Sequence, residues 1–123
     1  MKTKISQSEL DVMDVLWADS PLGAVEVAAR LETLKNWNIR TVKTLLARLV
    51  KKQALATTKQ GQRYLYTPLV SKEAYAQSAT RSLIDRLFGG RAAPLIAHLA
   101  ADKALSPQDI KDIETLLAKM KAE

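Results

Sequence analysis

The apolar residues of this chain follow a helical spacing as far as about residue 53, and then the pattern changes. That change bounds the fold more tightly than any other feature. Ser6-Gln7-Ser8-Glu9 is a capping box, a serine followed by glutamate three residues on. Leu10, Val12, Met13, Leu16 and Trp17 follow at helical spacing, and Asp19-Ser20-Pro21 stops this first helix. A second helix is expected from about Ala24 to Leu34, with Val25, Val27, Ala28 and Leu31 as its inner face. Asn38 is a good N-cap for a third, about Ile39 to Gln53. Leu55 to Thr58 and Gln62 to Thr67 are short and rich in Thr, Tyr and Leu. They flank Lys59-Gln60-Gly61, which reads as a β-hairpin, and Pro68 closes its second strand. Three short helices and then a hairpin is the order of a winged helix-turn-helix. The third helix stands where a recognition helix belongs, and the hairpin is the wing.

Charge falls on the same two elements. From Thr33 to Lys72 there is no Asp or Glu, while the stretch holds nine bases: Lys35, Arg40, Lys43, Arg48, Lys51, Lys52, Lys59, Arg63 and Lys72. A one-signed stretch that also carries a core pattern is the footprint of a polyanion-binding surface. Residues 1–70 carry eleven bases against six acids, +5, and residues 71–123 eight against seven, +1. The partner-facing charge therefore lies in the first part.

On a helical wheel Ile39, Val42, Leu45, Leu46 and Leu49 form the inner side of the third helix. Arg40, Thr44, Ala47, Arg48 and Lys51 form the outer side, flanked by Thr41 and Lys43. In a major groove Arg40 and Lys43 can donate to guanine O6 and N7, and Thr44 can bond a base edge or touch a thymine methyl. Asn38 and Thr41, near the helix start, reach phosphate or a base edge. Arg48, Lys51 and Lys52 are expected to face phosphate, and Lys59 and Arg63 to grip the backbone from the wing. Tyr64 and Tyr66 share one face of the hairpin and Arg63, Leu65 and Thr67 the other. The pattern leaves open which face is buried; tyrosines turned inward leave Arg63 for DNA, and that arrangement is favoured. Leu10, Leu16, Trp17, Val42, Leu45 and Leu49 read as core by periodicity.

The last third differs. Ser71 to Phe88 reads as a long helix with Tyr75, Ala79, Leu83 and Leu87 on one stripe, ended by Gly89-Gly90. Ala92 to Ala101 is a short apolar helix. Ser106 caps a last helix, with Pro107 at its first position and Asp109 in its first turn. There Ile110, Ile113, Leu116, Leu117 and Met120 form one apolar arc. A unit this small rarely buries its own core; a twin chain is the simplest cover and is favoured over folding back on the winged domain. Tyr75, Leu83 and Leu87 are expected to join that arc in dimerisation. The chain is thus expected to be mostly α with a small β-hairpin: a winged helix-turn-helix DNA-binding domain over 1–70 and a helical dimerisation region over 71–123.

Other chemistries are excluded or find no support. There is no cysteine, so disulfides and zinc-thiolate sites are ruled out. The single histidine, His98, lies without carboxylate pairs nearby and reads as a packed or surface helix residue, so no metal site and no cofactor are expected. Gly89-Gly90 lacks the lysine and serine of a phosphate-binding loop. No apolar run approaches the ~20 residues of a membrane span, and the polar start from Met1 to Glu9 lacks a signal-peptide apolar region, so a cytoplasmic protein is expected. No catalytic constellation appears, which disfavours an enzyme. Winged helices also serve as protein-interaction scaffolds; an adaptor of that kind would show no steep salt dependence on DNA.

These residues resemble the penicillinase repressor family, the BlaI/MecI type of bacterial winged-helix regulators. The likeness covers almost the whole chain. Ser8-Glu9-Leu10-Asp11-Val12-Met13-Asp14-Val15-Leu16-Trp17 is similar to the family's first-helix signature, and Ile39 through Lys52 to its recognition helix. Tyr64-Leu65-Tyr66 resembles the wing's return strand, and Leu87-Phe88-Gly89-Gly90 the double glycine after the fourth helix. The resemblance implies a homodimer that binds a palindromic operator in double-stranded DNA and blocks transcription, in the best-known members of β-lactam resistance genes. It also implies a membrane sensor protease whose action leads to cleavage of the repressor in its C-terminal part, typically at an Asn-Phe bond. The pair at the matching position is His98-Leu99, which differs at both residues. A related branch senses copper through cysteines near the C-terminus, which this chain lacks.

Overall fold

In the computed structural model, which describes residues 4–123, Ser6 sets the start of α1 (Gln7–Ala18). Its hydroxyl accepts the Glu9 N–H at 3.2 Å, and the Glu9 carboxylate accepts the Ser6 N–H at 2.8 Å. Two of the helix's orphan donors are satisfied in this way. A two-residue strand β1 (Leu22–Gly23) leads into α2 (Ala24–Lys35), whose Glu26 accepts the Gly23 N–H at 3.0 Å. Asn38 caps α3 (Ile39–Lys51) by accepting the Thr41 N–H at 3.0 Å.

The hairpin is β2 (Leu55–Gln60) and β3 (Arg63–Pro68), joined by Gly61-Gln62 with Gly61 at φ 63°. Glycine at that first central position supplies the positive φ of a type II′ turn. β1 adds to β3 antiparallel, Leu22 opposite Tyr66 and Gly23 opposite Leu65, so the sheet order is β1-β3-β2. The sequence gives no sign of β1, because two residues carry no periodicity; the strand exists only through β3.

The core of this part is Val12, Met13 and Leu16 of α1, Val27 and Leu31 of α2, Val42, Leu45, Leu46 and Leu49 of α3, and Leu55 of β2. Leu10 and Trp17 pack against it partly buried. Val25, expected inside, is 72% exposed. It lies two residues from Val27, a turn of about 200° around the helix, so it faces out when Val27 and Leu31 face in.

The chain divides into two compact units, one ending at Ser78 and one spanning Ala79–Glu123. The boundary therefore falls within α4 (Lys72–Leu87), beyond the expected division at residue 70. The cause is Trp17. Its indole N–H donates to the Val70 carbonyl at 2.8 Å, its ring lies 5.9 Å from that of Tyr75, and Lys72 faces Asp14 at 3.6 Å. Tyr75 thus belongs to the packing of the first unit, not to an open stripe.

In the second unit Gly89 and Gly90, at φ 60° and 81°, end α4, and Arg81 donates to the Gly90 carbonyl at 3.0 Å. α5 (Ala92–Ala101) follows, with His98 edge-on to Phe88 at 5.9 Å. α6 (Pro107–Lys121) starts at a capping box between Ser106 and Asp109. Among the described residues no helix is long and apolar enough to cross a membrane.

Candidate nucleic-acid interface

Tertiary structure sorts the nine bases of the acid-free stretch into two groups. Four are paired with acids from outside it. Lys35 lies 3.5 Å from Asp11, Lys72 3.6 Å from Asp14, Lys52 2.5 Å from Glu9, and Arg63 pairs with Glu26. The other five, Arg40, Lys43, Arg48, Lys51 and Lys59, are exposed and enter no ion pair among the described residues. All five stand on α3 or the wing. Five unpaired bases on adjoining elements, with no acid among them in the sequence, concentrate positive potential there.

α3 displays them because its inner side is committed. Val42, Leu45, Leu46 and Leu49 are buried, which turns Arg40, Lys43, Thr44, Ala47, Arg48 and Lys51 outward. Thr44 is exposed, and its hydroxyl donates to the Arg40 carbonyl at 3.0 Å, so toward a partner it acts as an acceptor. Thr41 is half-buried. Asn38 uses its carbonyl oxygen as the helix cap and keeps its amide group as a donor.

Lys52 leaves this face. It donates to the buried Glu9 carboxylate and to the Lys4 carbonyl at 2.9 Å, a structural role that the sequence did not announce for a base expected to face phosphate. Glu9 is only 1% exposed. Burial alone raises its pKa, but hydrogen bonds from Lys52 and Ser6 outweigh that and hold it below the ordinary carboxylate range. Its second oxygen, Oε2, has no hydrogen-bond partner, which makes the Lys52 bond to Oε1 the main compensation for the buried charge.

The wing departs from expectation in a second way. Tyr66 packs half-buried against the core, but Tyr64 is 52% exposed. Alternation puts both on one face of β3, yet β1 pairs only with Leu65 and Tyr66, so Tyr64 stands beyond its cover. The Lys59 ammonium lies 6.0 Å from the Tyr64 ring centre, holding that lysine on the outer wing. Arg63, expected to grip the backbone, pairs through Nη2 with Glu26 and stays half-exposed.

Two grooves flank α3. One, of about 420 Å³, runs between its outer face and the start of α1, and its lining includes Ser6, Ser8, Trp37, Arg40 and Arg48. The other, of about 430 Å³, lies toward the wing, with Lys43, Gln62, Arg63 and Tyr64 among its walls. Ser6 and Ser8 were legible in the sequence only as a helix start. Their place beside Arg40 and Arg48 depends on the packing of α1 against α3.

The sequence profile of the penicillinase repressor family matches residues 5–119. The chain belongs to that family. It is 30% identical to the penicillinase repressor of Bacillus licheniformis over 96% of this chain and 92% of that one. Among solved structures, the monomeric form of Bacillus licheniformis BlaI in complex with the blaP half-operator is 37% identical, with a TM-score of 0.53. The match covers 61% of this chain and 92% of that one. MepR, a transcription regulator of the Staphylococcus aureus multidrug efflux pump MepA, shares the fold alone. It is 18% identical, with a TM-score of 0.53, over 97% of this chain and 79% of that one. Family membership thus agrees with the winged-helix unit and with the basic face built on α3.

Proposed function

We propose that this member of the family is a DNA-binding transcriptional repressor that acts as a homodimer on a palindromic operator. The observation that carries the reading is the unpaired group of Arg40, Lys43, Arg48, Lys51 and Lys59 on α3 and the wing. The relative bound to a half-operator supports it. α3 enters the major groove. Arg40 and Lys43 read base edges with Thr44, while Asn38 and Thr41 contact the strand at the helix start. Arg48 and Lys51 bind phosphate further along, and Lys59 holds the neighbouring backbone from the wing.

Two half-sites require two chains. Leu87, Ile110, Leu116, Leu117 and Met120 are about half exposed or more, and Leu83 and Ile113 are half-buried. Burying them against a second copy yields the two-fold arrangement that a palindrome mirrors, with half-sites about 10 base pairs or somewhat more apart. Repression, in the cytoplasm, ends when that assembly is broken. Cleavage at His98-Leu99 after a membrane protease is activated, with β-lactam resistance genes as targets, is the family-derived form of that step. The bond lies inside α5, so hydrolysis requires the helix to open first.

The test is a salt titration with the full chain on a palindromic duplex, selected by the protein from a randomised pool, and on its scrambled counterpart. The palindrome is expected to be held more tightly at every salt concentration, with steep salt dependence on both. Equal retention of the two duplexes overturns the repressor reading, and a flat salt response favours a protein-interaction adaptor.

A further inference from the structure

Arg63 stands in the acid-free stretch yet is held by an acid from outside it, and the surroundings of that pair are built for it. The Glu26 Oε1 atom accepts both the Gly23 N–H and the Arg63 Nη2. One carboxylate oxygen therefore joins β1, the first turn of α2 and the first residue of β3. Gly23 sits at φ −87° and ψ 169°, extended backbone that any residue adopts. Its lack of a side chain lets both charged groups close on the backbone without shifting. A Cβ there would stand 3.0 Å from Glu26 Oε1 and 3.1 Å from Arg63 Nη2.

We propose that Gly23, Glu26 and Arg63 form a clasp that positions the wing for DNA, with Arg63 acting through Glu26 instead of gripping phosphate. The proposal rests on the DNA-binding reading above. Arg63 is paired with Gln60 across the Gly61-Gln62 turn, and the next rung of the ladder is Lys59 with Tyr64. Fixing Arg63 against α2 fixes the base of the tip that carries Lys59. Electrostatics favour keeping the clasp closed in the complex. If Arg63 swung to a phosphate, the half-exposed Glu26 carboxylate would stand uncompensated beside a polyanion. Glu26 and Arg63 are thus positioning residues, and Lys59 is the wing's phosphate contact.

The two roles make opposite predictions for Glu26. Removing an acid near a DNA-binding face ordinarily strengthens binding. If Glu26 orients the wing, removing its charge weakens binding instead. The experiment compares full-length wild type, E26Q, R63Q and the double variant on the selected palindromic duplex over a range of salt concentrations. E26Q keeps an oxygen to accept the Gly23 N–H, so the cap of α2 survives. Each single variant is expected to bind roughly fivefold more weakly, the scale of a half-exposed ion pair. The double variant is expected to be no weaker than either, because both act through one interaction. The slope of log affinity against log salt is expected to match wild type in all three.

E26Q binding as tightly as wild type or more tightly, with R63Q lowering the slope by about 0.9 for each lost phosphate contact, overturns the clasp. Without DNA, amide exchange along β3 from Arg63 to Tyr66 is expected to quicken in E26Q, R63Q and G23A at unchanged circular dichroism. Unchanged exchange overturns the clasp as well. Failure of the wild type to distinguish palindrome from scrambled duplex would instead fall on the DNA-binding reading, and the exchange measurement would still decide the clasp.

Discussion

The winged unit and the C-terminal unit treat similar amphipathic helices in opposite ways. In the first, Val12, Met13, Val27, Val42, Leu46 and Leu49 are fully enclosed by three helices and a small sheet. In the second, α6 buries no residue, and Leu116 and Met120 are 59% and 66% exposed. The pattern of α6 is as clear as that of α1; what it lacks is a facing layer within its own unit. An apolar stripe specifies that a helix will be covered and leaves the source of the cover to the number of elements nearby.

The sharpest test of the contrast is to end the chain at Ser78. The shortened protein is expected to fold and remain monomeric by sedimentation, and to bind the palindrome about 10²- to 10⁴-fold more weakly, since linked half-sites lose their effective concentration. A truncated chain still dimeric at micromolar concentration breaks the assignment. Ending at Val70 instead removes Tyr75 from Trp17 and is expected to cost about 1 kcal/mol of further stability, readable by urea denaturation.

Equal truncations in the two units should separate folding from assembly. Leu46→Ala empties a fully buried site and is expected to cost about 2–5 kcal/mol of unfolding free energy. Leu117→Ala, half exposed in the single chain, is expected to change the unfolding of the isolated chain by less than about 0.5 kcal/mol. Its effect should appear as a raised dimer dissociation constant in sedimentation equilibrium.

Within the winged unit, the buried Glu9–Lys52 pair contrasts with the unpaired bases of α3. Lys52→Met strands the Glu9 carboxylate and is expected to cost roughly 3 kcal/mol of stability at neutral pH. Because folding depresses the Glu9 pKa, the stability it contributes is present above the ordinary glutamate range and is lost as pH falls through its lowered folded value. A series of urea melts at decreasing pH is expected to show that loss in wild type, and much less of it in Lys52→Met.

Bases on the outer face itself are distinguished by their effects on DNA binding. Arg40→Ala is expected to cost about 1–3 kcal/mol on the palindrome and to relax sequence preference, whereas Lys51→Ala weakens all duplexes alike and lowers the salt slope by about 1. Competition with mismatched duplexes checks both.

The helices were legible because their signals are local. Ser6 and Glu9, Asn38 and Thr41, and Ser106 and Asp109 make the capping bonds that their spacing announces. The outer face of α3 was legible for the same reason, since Val42 and Leu49 fix which side turns inward. The wing was less so. Alternation groups Tyr64 with Tyr66 but says nothing of where β1 ends, and that end decides which tyrosine is covered.

The order of elements, the basic stretch and the inner side of each long helix follow from local signals, because periodicity and capping act over three or four residues. What each charge does depends on contacts made across the fold. Lys52, one residue past Lys51, turns to Glu9, forty-three positions away along the chain, while Lys51 faces out. Arg63 meets Glu26 across thirty-seven positions, and Trp17 reaches Val70 across fifty-three, carrying the first unit into α4. Ion pairs and packing are set by distance in space, and a run of like charges carries no record of which acids will be folded against it.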